Sequence, residues 1–474
     1  MADSTDEFNA LMGQSRFAAA LVLAERSMKR EQRSSQWPRG AGRAALALGR
    51  LGDAQEYFER ALRIDPKDAE SRLQIAIVDH RLGRSARAEQ RLRALLTSDP
   101  TNAVDANMAL AEVLHRTNQE GALAEHFSCD GEWLRDPRAA LFRARLDAKR
   151  DTPAAIERLK ALARSDAPSY LRRIAGFEAV KLLDRTARYR EAFDLATQLH
   201  QSTGGQFDLG GLEAEIAAQR AVIDRTAGVA ARAPRVAGTA MIVALPRSGT
   251  TLLEQMLDRH LSVSGIGEYE GIQSMGERAV ASGLWPRDLG SLSTDDALGW
   301  QRAYFEGSVV RRRAGASVTL DKSLHTWMWL PLIAAIMPGC VLFSIDRDPR
   351  DTAISTLLGN FHPASFGWTS SLSSIRTVIA THRSFVPHAL ERLDLAHESI
   401  KYESLVDDPA GHAARCLARL DLPMDLATTA PEGNTRTVLT LSHEQVRQPI
   451  NRASIGRWKN YEWAFDAQWN QFDS

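Results

Sequence analysis

The chain has 474 residues, of which 44% are hydrophobic and 25% are charged, a composition typical of soluble globular proteins and long enough for two or three domains. Lysine plus arginine number 59, as do aspartate plus glutamate, so net charge indicates neither a nucleic-acid nor a membrane partner. Three widely spaced cysteines fit neither a disulfide framework nor a zinc site. The N-terminal residues lack the pattern of a signal peptide and no stretch is apolar enough to span a bilayer, so a cytoplasmic protein is expected.

A 34-residue repeat marks the first part of the chain. The pair Asp-Pro recurs at 65–66, 99–100 and 136–137, at spacings of 34 and 37 residues. Upstream of the first two prolines, apolar columns match at the same shift and lie on one face of a helix that must end before the proline: Ala54 with Ala88, Phe58 with Leu92, and Ala61 with Leu95. This pattern resembles the tetratricopeptide repeat, and about five stacked units would form a solenoid. An all-helical domain outside any repeat family is the alternative.

The character of the chain changes after residue 202. A Gly-rich step, a predicted helix over 213–224 and an Ala/Pro/Arg stretch form a junction. Beyond it, short apolar runs at 239–244 and 340–345, and a third ending at 401, are each followed by a loop or turn and a helix. Strands that alternate with helices predict a parallel sheet covered on both faces. We therefore predict a helical-repeat domain over 1–205, a junction over 206–237 and a three-layer α/β domain over 238–474.

The run at 244–253 has the context of a phosphate-binding loop, since it follows a strand and opens a helix. Backbone N–H groups in such a turn cradle anionic oxygens, the helix dipole assists, and Thr250 and Thr251 add hydroxyls. Ala244 stands where nucleotide triphosphatases have their first glycine, and Thr250 stands where they have a lysine, so triphosphate hydrolysis is disfavoured. Arg247 with a lysine from elsewhere could stabilise a less charged sulfuryl group without a metal. The alternative is an ordinary strand–turn–helix.

The segment 245–254, Leu-Pro-Arg-Ser-Gly-Thr-Thr-Leu-Leu-Glu, resembles the 5′-phosphosulfate-binding motif of the sulfotransferases. Four further blocks follow in the family's order, and the chain as a whole resembles bacterial sulfotransferases with tetratricopeptide repeats, similar to protein-tyrosine sulfotransferases. The resemblance implies a P-loop-like sulfotransferase fold, the donor 3′-phosphoadenosine-5′-phosphosulfate (PAPS), and no metal. It implies that the phosphosulfate is bound by Arg247, Ser248, Gly249, Thr250 and Thr251.

Two blocks are implied to hold the nucleotide. Arg347 at a strand end and Ser355 two turns into the next helix can converge on one phosphate, and the resemblance implies that they bind the 3′-phosphate of PAPS. Tyr402, at the start of the block 402–409, is implied to contact the nucleotide. Each block taken alone would be an ordinary capped helix start.

The block around Gly267-Glu268 resembles the step that carries the catalytic glutamate of the tyrosylprotein branch. Glu268 would take the proton from the acceptor hydroxyl. Glu270 is a competing base, and His260 is a third, because another branch uses histidine. A histidine at the end of a helix is favourable for electrostatic reasons alone.

Charge stabilisation is assigned by resemblance to two further blocks. Lys322, in Asp-Lys-Ser after a short predicted strand at 318–320, would contact the sulfuryl group and the bridging oxygen; the family's proline shortly after this lysine is missing. In the C-terminal block 441–459, Ser442 would stabilise the transition state and Arg457 would hold the donor, in a loop suited to a lid.

The expected activity is transfer of a sulfuryl group from PAPS to an acceptor hydroxyl, with a tyrosine of a protein or peptide as candidate acceptor. Repeat solenoids present long concave surfaces, which favours a protein or peptide partner; a saccharide or small-molecule acceptor stays open. One rival interpretation is a catalytically impaired scaffold that binds PAP, the nucleotide product, or a protein partner. The other is a nucleotide kinase or triphosphatase.

Overall fold

The computed structural model describes residues 2–14, 16–98, 103–203, 207–225, 229–434 and 448–472. These residues form two compact units, one ending at Asp151 and the other beginning at Thr152. None of the helices in these ranges is long and apolar enough to cross a membrane.

The first unit is helical in all its described parts. Helices that are consecutive in sequence pack on one another, as expected of a repeat array. Their bounds are α1 Ala2–Gly13, α2 Phe17–Arg30, α3 Gln36–Ala47, α4 Leu51–Ile64, α5 Ala69–Arg81, α6 Ser85–Ser98, α7 Ala103–Arg116, α8 Glu120–Ser128 and α9 Pro137–Asp147.

The apolar columns of the repeat are buried, which confirms the predicted helical faces. Phe58 on α4 and its counterpart Leu92 on α6 are both fully buried, and so are the alanine and leucine columns beside them. Asp65 caps the C-terminus of α4, as the proline rule predicts, whereas Asp99-Pro100 lies outside the described residues. Asp136-Pro137 differs from the first pair, because Asp136 caps the N-terminus of α9 with its carboxylate. Proline suits the first position of a helix as well as the position after its end.

The second unit begins with four helices: α10 Thr152–Ala163, α11 Ser169–Arg185, α12 Tyr189–Thr203 and α13 Leu209–Ile223. Arg173 on α11 donates to Asn360 Oδ1 at 2.9 Å and to the carbonyl oxygen of Phe361 at 3.0 Å. On α12, the imidazole of His200 lies 2.9 Å from the carbonyl oxygen of Leu357. Helices before residue 205 therefore pack in the same unit as the sheet. The domain limits at 205 and 237 stay a prediction drawn from the sequence pattern.

The rest of the second unit alternates strands with helices. The strands are β1 Thr239–Val243, β2 Val263–Gly265, β3 Val318–Asp321, β4 Val341–Asp346 and β5 His397–Lys401. The helices are α14 Thr250–Leu257, α15 Gly271–Ala281, α16 Thr294–Val309, α17 Leu330–Ile336, α18 Pro349–Leu357, α19 Leu372–Arg392, α20 Tyr402–Asp407 and α21 Pro409–Arg419.

The strands form one parallel sheet in the order β2-β3-β1-β4-β5. Alternate residues of β1 enter different cores: Met241 and Val243 pack with α15–α19, whereas Ala240 and Ile242 pack with α14, α20 and α21. The sheet is therefore the middle of three layers, which confirms the predicted fold class.

The strand order places a topological switch point at β1. The chain leaves β1 towards β3 and β2 on one side and later crosses to β4 and β5 on the other. In open α/β sheets, ligands bind beyond the carboxyl ends of the strands at such a point. The candidate residues are therefore to be sought where β1, β3 and β4 end.

Candidate active site

The turn between β1 and α14 has the backbone of a phosphate loop. Arg247 and Gly249 both adopt positive φ, of 68° and 97°, and α14 begins at the next residue, Thr250. A Cβ on Gly249 would lie 2.3 Å from a ring carbon of Tyr402, so only glycine fits both the conformation and the space. A turn of this kind before a helix N-terminus suits an anion. Ser248, Thr250 and Thr251 are buried within it.

Arg247, Arg347 and Ser355 converge beside this loop. Arg247 Nε donates to Ser355 Oγ at 2.8 Å, and Arg347 Nη1 donates to the carbonyl oxygen of Arg247 at 2.6 Å. Burial, followed by the charge of Arg347, lowers the pKa of Arg247 to about 10. The positive charges of the two arginines repel each other, and an anion bound beside both would relieve that repulsion. Arg347 and Ser355, which the sequence assigns to one phosphate, thus meet through Arg247.

Tyr402 connects the loop to the second arginine. The Arg347 guanidinium lies 4.6 Å from the centre of the Tyr402 ring, and the edge of the same ring faces Gly249. A cation over an aromatic face is held electrostatically. Tyr402 therefore contributes to the position of both the loop and Arg347, beside the site where the nucleotide is expected.

Lys322 and Glu268 form an ion pair at the ends of β3 and β2. The Lys322 Nζ lies 2.6 Å from Glu268 Oε1. The Lys322 side chain is 1% exposed, whereas that of Glu268 is 44% exposed. The loop that carries Glu268 is fixed through the backbone of Gly267, since the Lys322 amide donates to the Gly267 carbonyl at 3.0 Å and the Gly267 amide donates to the Glu254 carboxylate at 2.8 Å. A buried cation thus contacts a carboxylate that reaches solvent.

The residue before the lysine is a buried acid that the sequence analysis did not single out. Asp321 accepts from the Tyr304 hydroxyl at 2.9 Å and from the amide and hydroxyl of Ser323. Burial raises its pKa to about 6. These bonds fix the loop after β3 without the family's proline, and further along this loop His325 stacks on Phe366 at 4.6 Å between ring centres.

The other candidate bases lie in different settings. Glu270 is exposed and directly precedes α15. The Nδ1 atom of His260 lies 3.1 Å from the Ser262 amide, within its own turn. Among these three candidates, Glu268 is the one with a direct contact to Lys322.

Of the two C-terminal candidates, Arg457 lies among the described residues and Ser442 does not. Arg457 pairs with the carboxylate of Asp184 on α11, although the resemblance implied that it holds the donor. The amides of its neighbours Gly456 and Trp458 donate to the carboxylate of Asp351 on α18. The structure therefore brings the segment to α18, while the Arg457 guanidinium pairs with α11.

Asp184 and Asp351 are organising residues that sequence reasoning missed. Asp184 has no signal in the sequence, because its partners are more than 270 residues away in the chain. Asp351 stands four residues after Arg347, and its position in the first turn of α18 marks it as a candidate to receive amide groups.

Family models match both parts of the chain. Residues 240–426 match the sulfotransferase family and residues 45–113 match the tetratricopeptide repeat. An uncharacterized protein of Aquifex aeolicus (strain VF5) is 25% identical over 312 residues, which are 61% of this chain and 40% of that relative. The chain thus spans about two fifths of the length of this relative.

Similar solved structures include the sulfotransferase domain from the curacin biosynthetic pathway. It is 16% identical, with a TM-score of 0.36, over 50% of this chain and 97% of that one. A sulfotransferase from Mycobacterium avium is 15% identical, with a TM-score of 0.31, over 73% of this chain and 96% of that one. On the family matches, the chain carries tetratricopeptide repeats and a domain of the sulfotransferase family.

Proposed function

We propose that this protein transfers the sulfuryl group of PAPS to an acceptor hydroxyl, with the tyrosine of a peptide or protein as the favoured acceptor. The observation that carries the proposal is a convergence at one edge of the sheet. The loop at 244–249 and the Arg247–Ser355–Arg347 cluster follow β1 and β4, and the Lys322–Glu268 pair follows the neighbouring strands. An anion site thus lies at the same sheet edge as a base and a cation.

In this proposal the loop and Arg247 hold the 5′-phosphosulfate, while Arg347 and Ser355 hold the 3′-phosphate. The acceptor oxygen attacks sulfur, the bond from sulfur to the bridging oxygen breaks, and PAP leaves. Glu268 takes the acceptor proton. Lys322 stabilises the charge that develops on the bridging oxygen, as preorganised cations do for transferring groups.

The ion pair between Lys322 and Glu268 gives the proposal an order of events. A base paired at 2.6 Å with a lysine has an oxygen occupied, and the lysine ammonium is engaged by that oxygen. When the donor draws Lys322 towards its sulfuryl group, Glu268 is released to accept a proton. The base would then be available only in the presence of donor, which limits wasteful deprotonation.

Triphosphate chemistry is the weaker interpretation of the same loop. Thr250 opens α14 where a triphosphatase has its lysine, so the β- and γ-phosphates would lack the residue that normally holds them. Lys322 approaches from β3 and is occupied by Glu268.

Calorimetry with PAP tests the donor site. We expect wild-type protein to bind PAP in preference to ATP with Mg²⁺. Arg347→Ala should weaken PAP binding about tenfold or more, the value of a lost charge-assisted contact, whereas Arg392→Ala on the exposed end of α19 should leave it unchanged. Labelled PAPS with tyrosine peptides, saccharides and cell extract then identifies the acceptor.

Absence of PAP binding by folded wild-type protein would overturn the proposal. Stronger binding of ATP with Mg²⁺ than of PAP would favour a kinase or triphosphatase. PAP binding without transfer to any acceptor would favour a scaffold that has kept the nucleotide site.

A further inference from the structure

The segment 454–458 lies directly against α18, which carries Asp351. The Gly456 amide donates to Asp351 Oδ2 at 2.7 Å and the Trp458 amide donates to Asp351 Oδ1 at 2.8 Å. Arg347 donates from Nη2 to the carbonyl oxygen of Ser454 at 2.5 Å. The segment therefore supplies one direct anchor to Arg347 and orients the carboxylate that lies 4.0 Å from the same guanidinium.

On its other side this segment is held by Asp184 of α11. One carboxylate oxygen of Asp184 accepts from the Arg457 guanidinium, and the other accepts from the Tyr461 hydroxyl at 2.6 Å. The Asp184 side chain is 10% exposed and Tyr461 is fully buried. A partly buried carboxylate that satisfies a cation and a phenol at once is costly to remove, because both partners would then lack their bond.

Side chains of α12 add aromatic contacts to the same segment. The Tyr189 ring lies 5.3 Å from Tyr461, and the Phe193 ring lies 5.0 Å from Trp463. The Arg190 guanidinium covers Trp463 at 3.5 Å. Helices α11 and α12 therefore both contact the 3₁₀ stretch Arg457–Ala464, and Asp184 supplies the charged contact.

We propose that Asp184 is a positioning residue of the donor site: it anchors the segment 454–461 so that Ser454 and Asp351 hold the Arg347 guanidinium towards the phosphate loop. The chain of contacts runs from Asp184 through Arg457 to the Gly456 and Trp458 amides, then through Asp351 to Arg347. The inference rests on the proposed function for the identity of the ligand. In this arrangement Arg457 does not bind the donor directly but forms the ion pair with Asp184.

The test combines ligand affinity with local order. PAP is titrated calorimetrically into wild-type protein, Asp184→Ala, Asp184→Asn and Tyr461→Phe, with Asp194→Ala on the exposed face of α12 as matched control. Amide hydrogen exchange of 454–461 is followed in the same proteins without ligand. For Asp184→Ala we expect a Kd about tenfold higher at unchanged stoichiometry, since a mispositioned arginine weakens binding in every molecule.

The milder variants keep the proposal testable if Asp184→Ala folds poorly. Asp184→Asn and Tyr461→Phe should raise the Kd by a smaller factor, and exchange at Gly456 and Trp458 should accelerate in all three variants but not in the control. A reduced stoichiometry with unchanged Kd would mean a purely structural residue and would overturn the proposal, as would unchanged exchange at these amides. If wild-type protein binds no PAP, the proposed function and the donor-site role of Asp184 both fail. Unchanged exchange with intact PAP binding removes the role of Asp184 alone.

Discussion

At the scale of single residues, Lys322 is unusual because its ammonium group is buried while its partner reaches solvent. Burial of a cation is tolerated when a charge or hydrogen bond compensates it, and here the compensation comes from Glu268 at 2.6 Å. Because Glu268 reaches solvent, an apolar side chain of similar length in place of Lys322 would leave no buried unpaired charge and would cost the fold little. The same replacement would remove the positive charge that the proposed transfer step requires.

Lys322→Met should therefore separate folding from transfer. We expect the thermal midpoint to change little and the PAP Kd to stay within about threefold, while sulfuryl transfer from labelled PAPS falls about a hundredfold or more, because a stabiliser of developing charge is lost. Lys401→Met, at the exposed end of β5, removes a lysine from the same sheet edge and should leave transfer unchanged. Transfer by Lys322→Met at near wild-type rate would contradict the assigned role.

The neighbouring acid, Asp321, carries a prediction about pH. Burial raises its pKa from 3.8 to about 6, so the folded protein holds a proton on this group that the unfolded chain has already released between about pH 4 and 6. Stability contributed by the protonated group is present below that range and is lost as pH rises through it. The loss by pH 7 is about 3 kcal/mol, from a shift of roughly two units.

Asp321→Asn should remove this dependence. In urea unfolding from pH 4.5 to 7.5, the difference in stability between variant and wild type should move in favour of the variant by about 2 kcal/mol, because pH 4.5 already lies above the pKa of the unfolded chain. Glu306→Gln, an exposed change on α16, should show no such trend. A difference that stays constant with pH would mean that Asp321 is ionised throughout the range.

At the scale of elements, the turn between β1 and α14 was predictable and the short strand that precedes Glu268 was not. The run from β1 into α14 has local signals, because glycine, threonines and an apolar strand are contiguous in the sequence. Strand β2, Val263–Gly265, has only three residues and no recognisable alternation. It forms because its backbone pairs with β3 and because Asp258, which follows α14, accepts from the Gly265 amide. Both are tertiary contacts, which leave no local pattern in the sequence.

The same distinction holds for the helical repeats. Their apolar columns follow a helical period and are visible in the sequence. The contacts of α11 and α12 with Asn360, Leu357 and Tyr461 join residues more than 150 positions apart and leave no periodic trace. Sequence patterns therefore predicted the helices of the repeats, but not which elements share a core.

Gly249 allows the loop itself to be tested as an element. Its φ is 97°, and a Cβ would meet Tyr402 at 2.3 Å, so Gly249→Ala should both strain the turn and displace the ring. We expect a loss of about 1–3 kcal/mol in stability and loss of measurable PAP binding. Gly283→Ala is the matched control, since Gly283 also has positive φ, 74°, but a Cβ there would meet no atom within 4 Å.

The control should lose stability through backbone strain alone and keep its affinity for PAP. Differential scanning calorimetry and PAP titration on both variants check the expectation. Equal PAP affinity in the two variants would mean that the loop conformation around Gly249 does not determine nucleotide binding.

At the scale of the whole molecule, two positions compete for the start of the domain that contains the sheet. The change in sequence pattern predicts a boundary near residue 205, whereas compactness divides the described residues between Asp151 and Thr152. Of the helices between these two limits, α11 carries Arg173 and Asp184 and α12 carries His200, each bonded to a residue beyond position 350. If these bonds are needed for PAP binding, α10–α12 belong to the same functional domain as the sheet, although the sequence pattern placed them in the repeat domain.

Two shortened chains distinguish these possibilities. A chain of residues 152–474 should unfold cooperatively and bind PAP within about threefold of the 474-residue chain, because it keeps every contact just named. A chain of residues 206–474 loses the partners of Tyr461, Asn360 and Leu357 and uncovers the apolar side chains that α11 and α12 shield, so it should aggregate or bind PAP far more weakly. Size-exclusion chromatography, thermal melts by circular dichroism and PAP titration provide the comparison. A monomeric 206–474 chain with full PAP affinity would show that α10–α12 belong with the repeats. The bonds of Asp184 to Arg457 and Tyr461 would then be dispensable for the donor site.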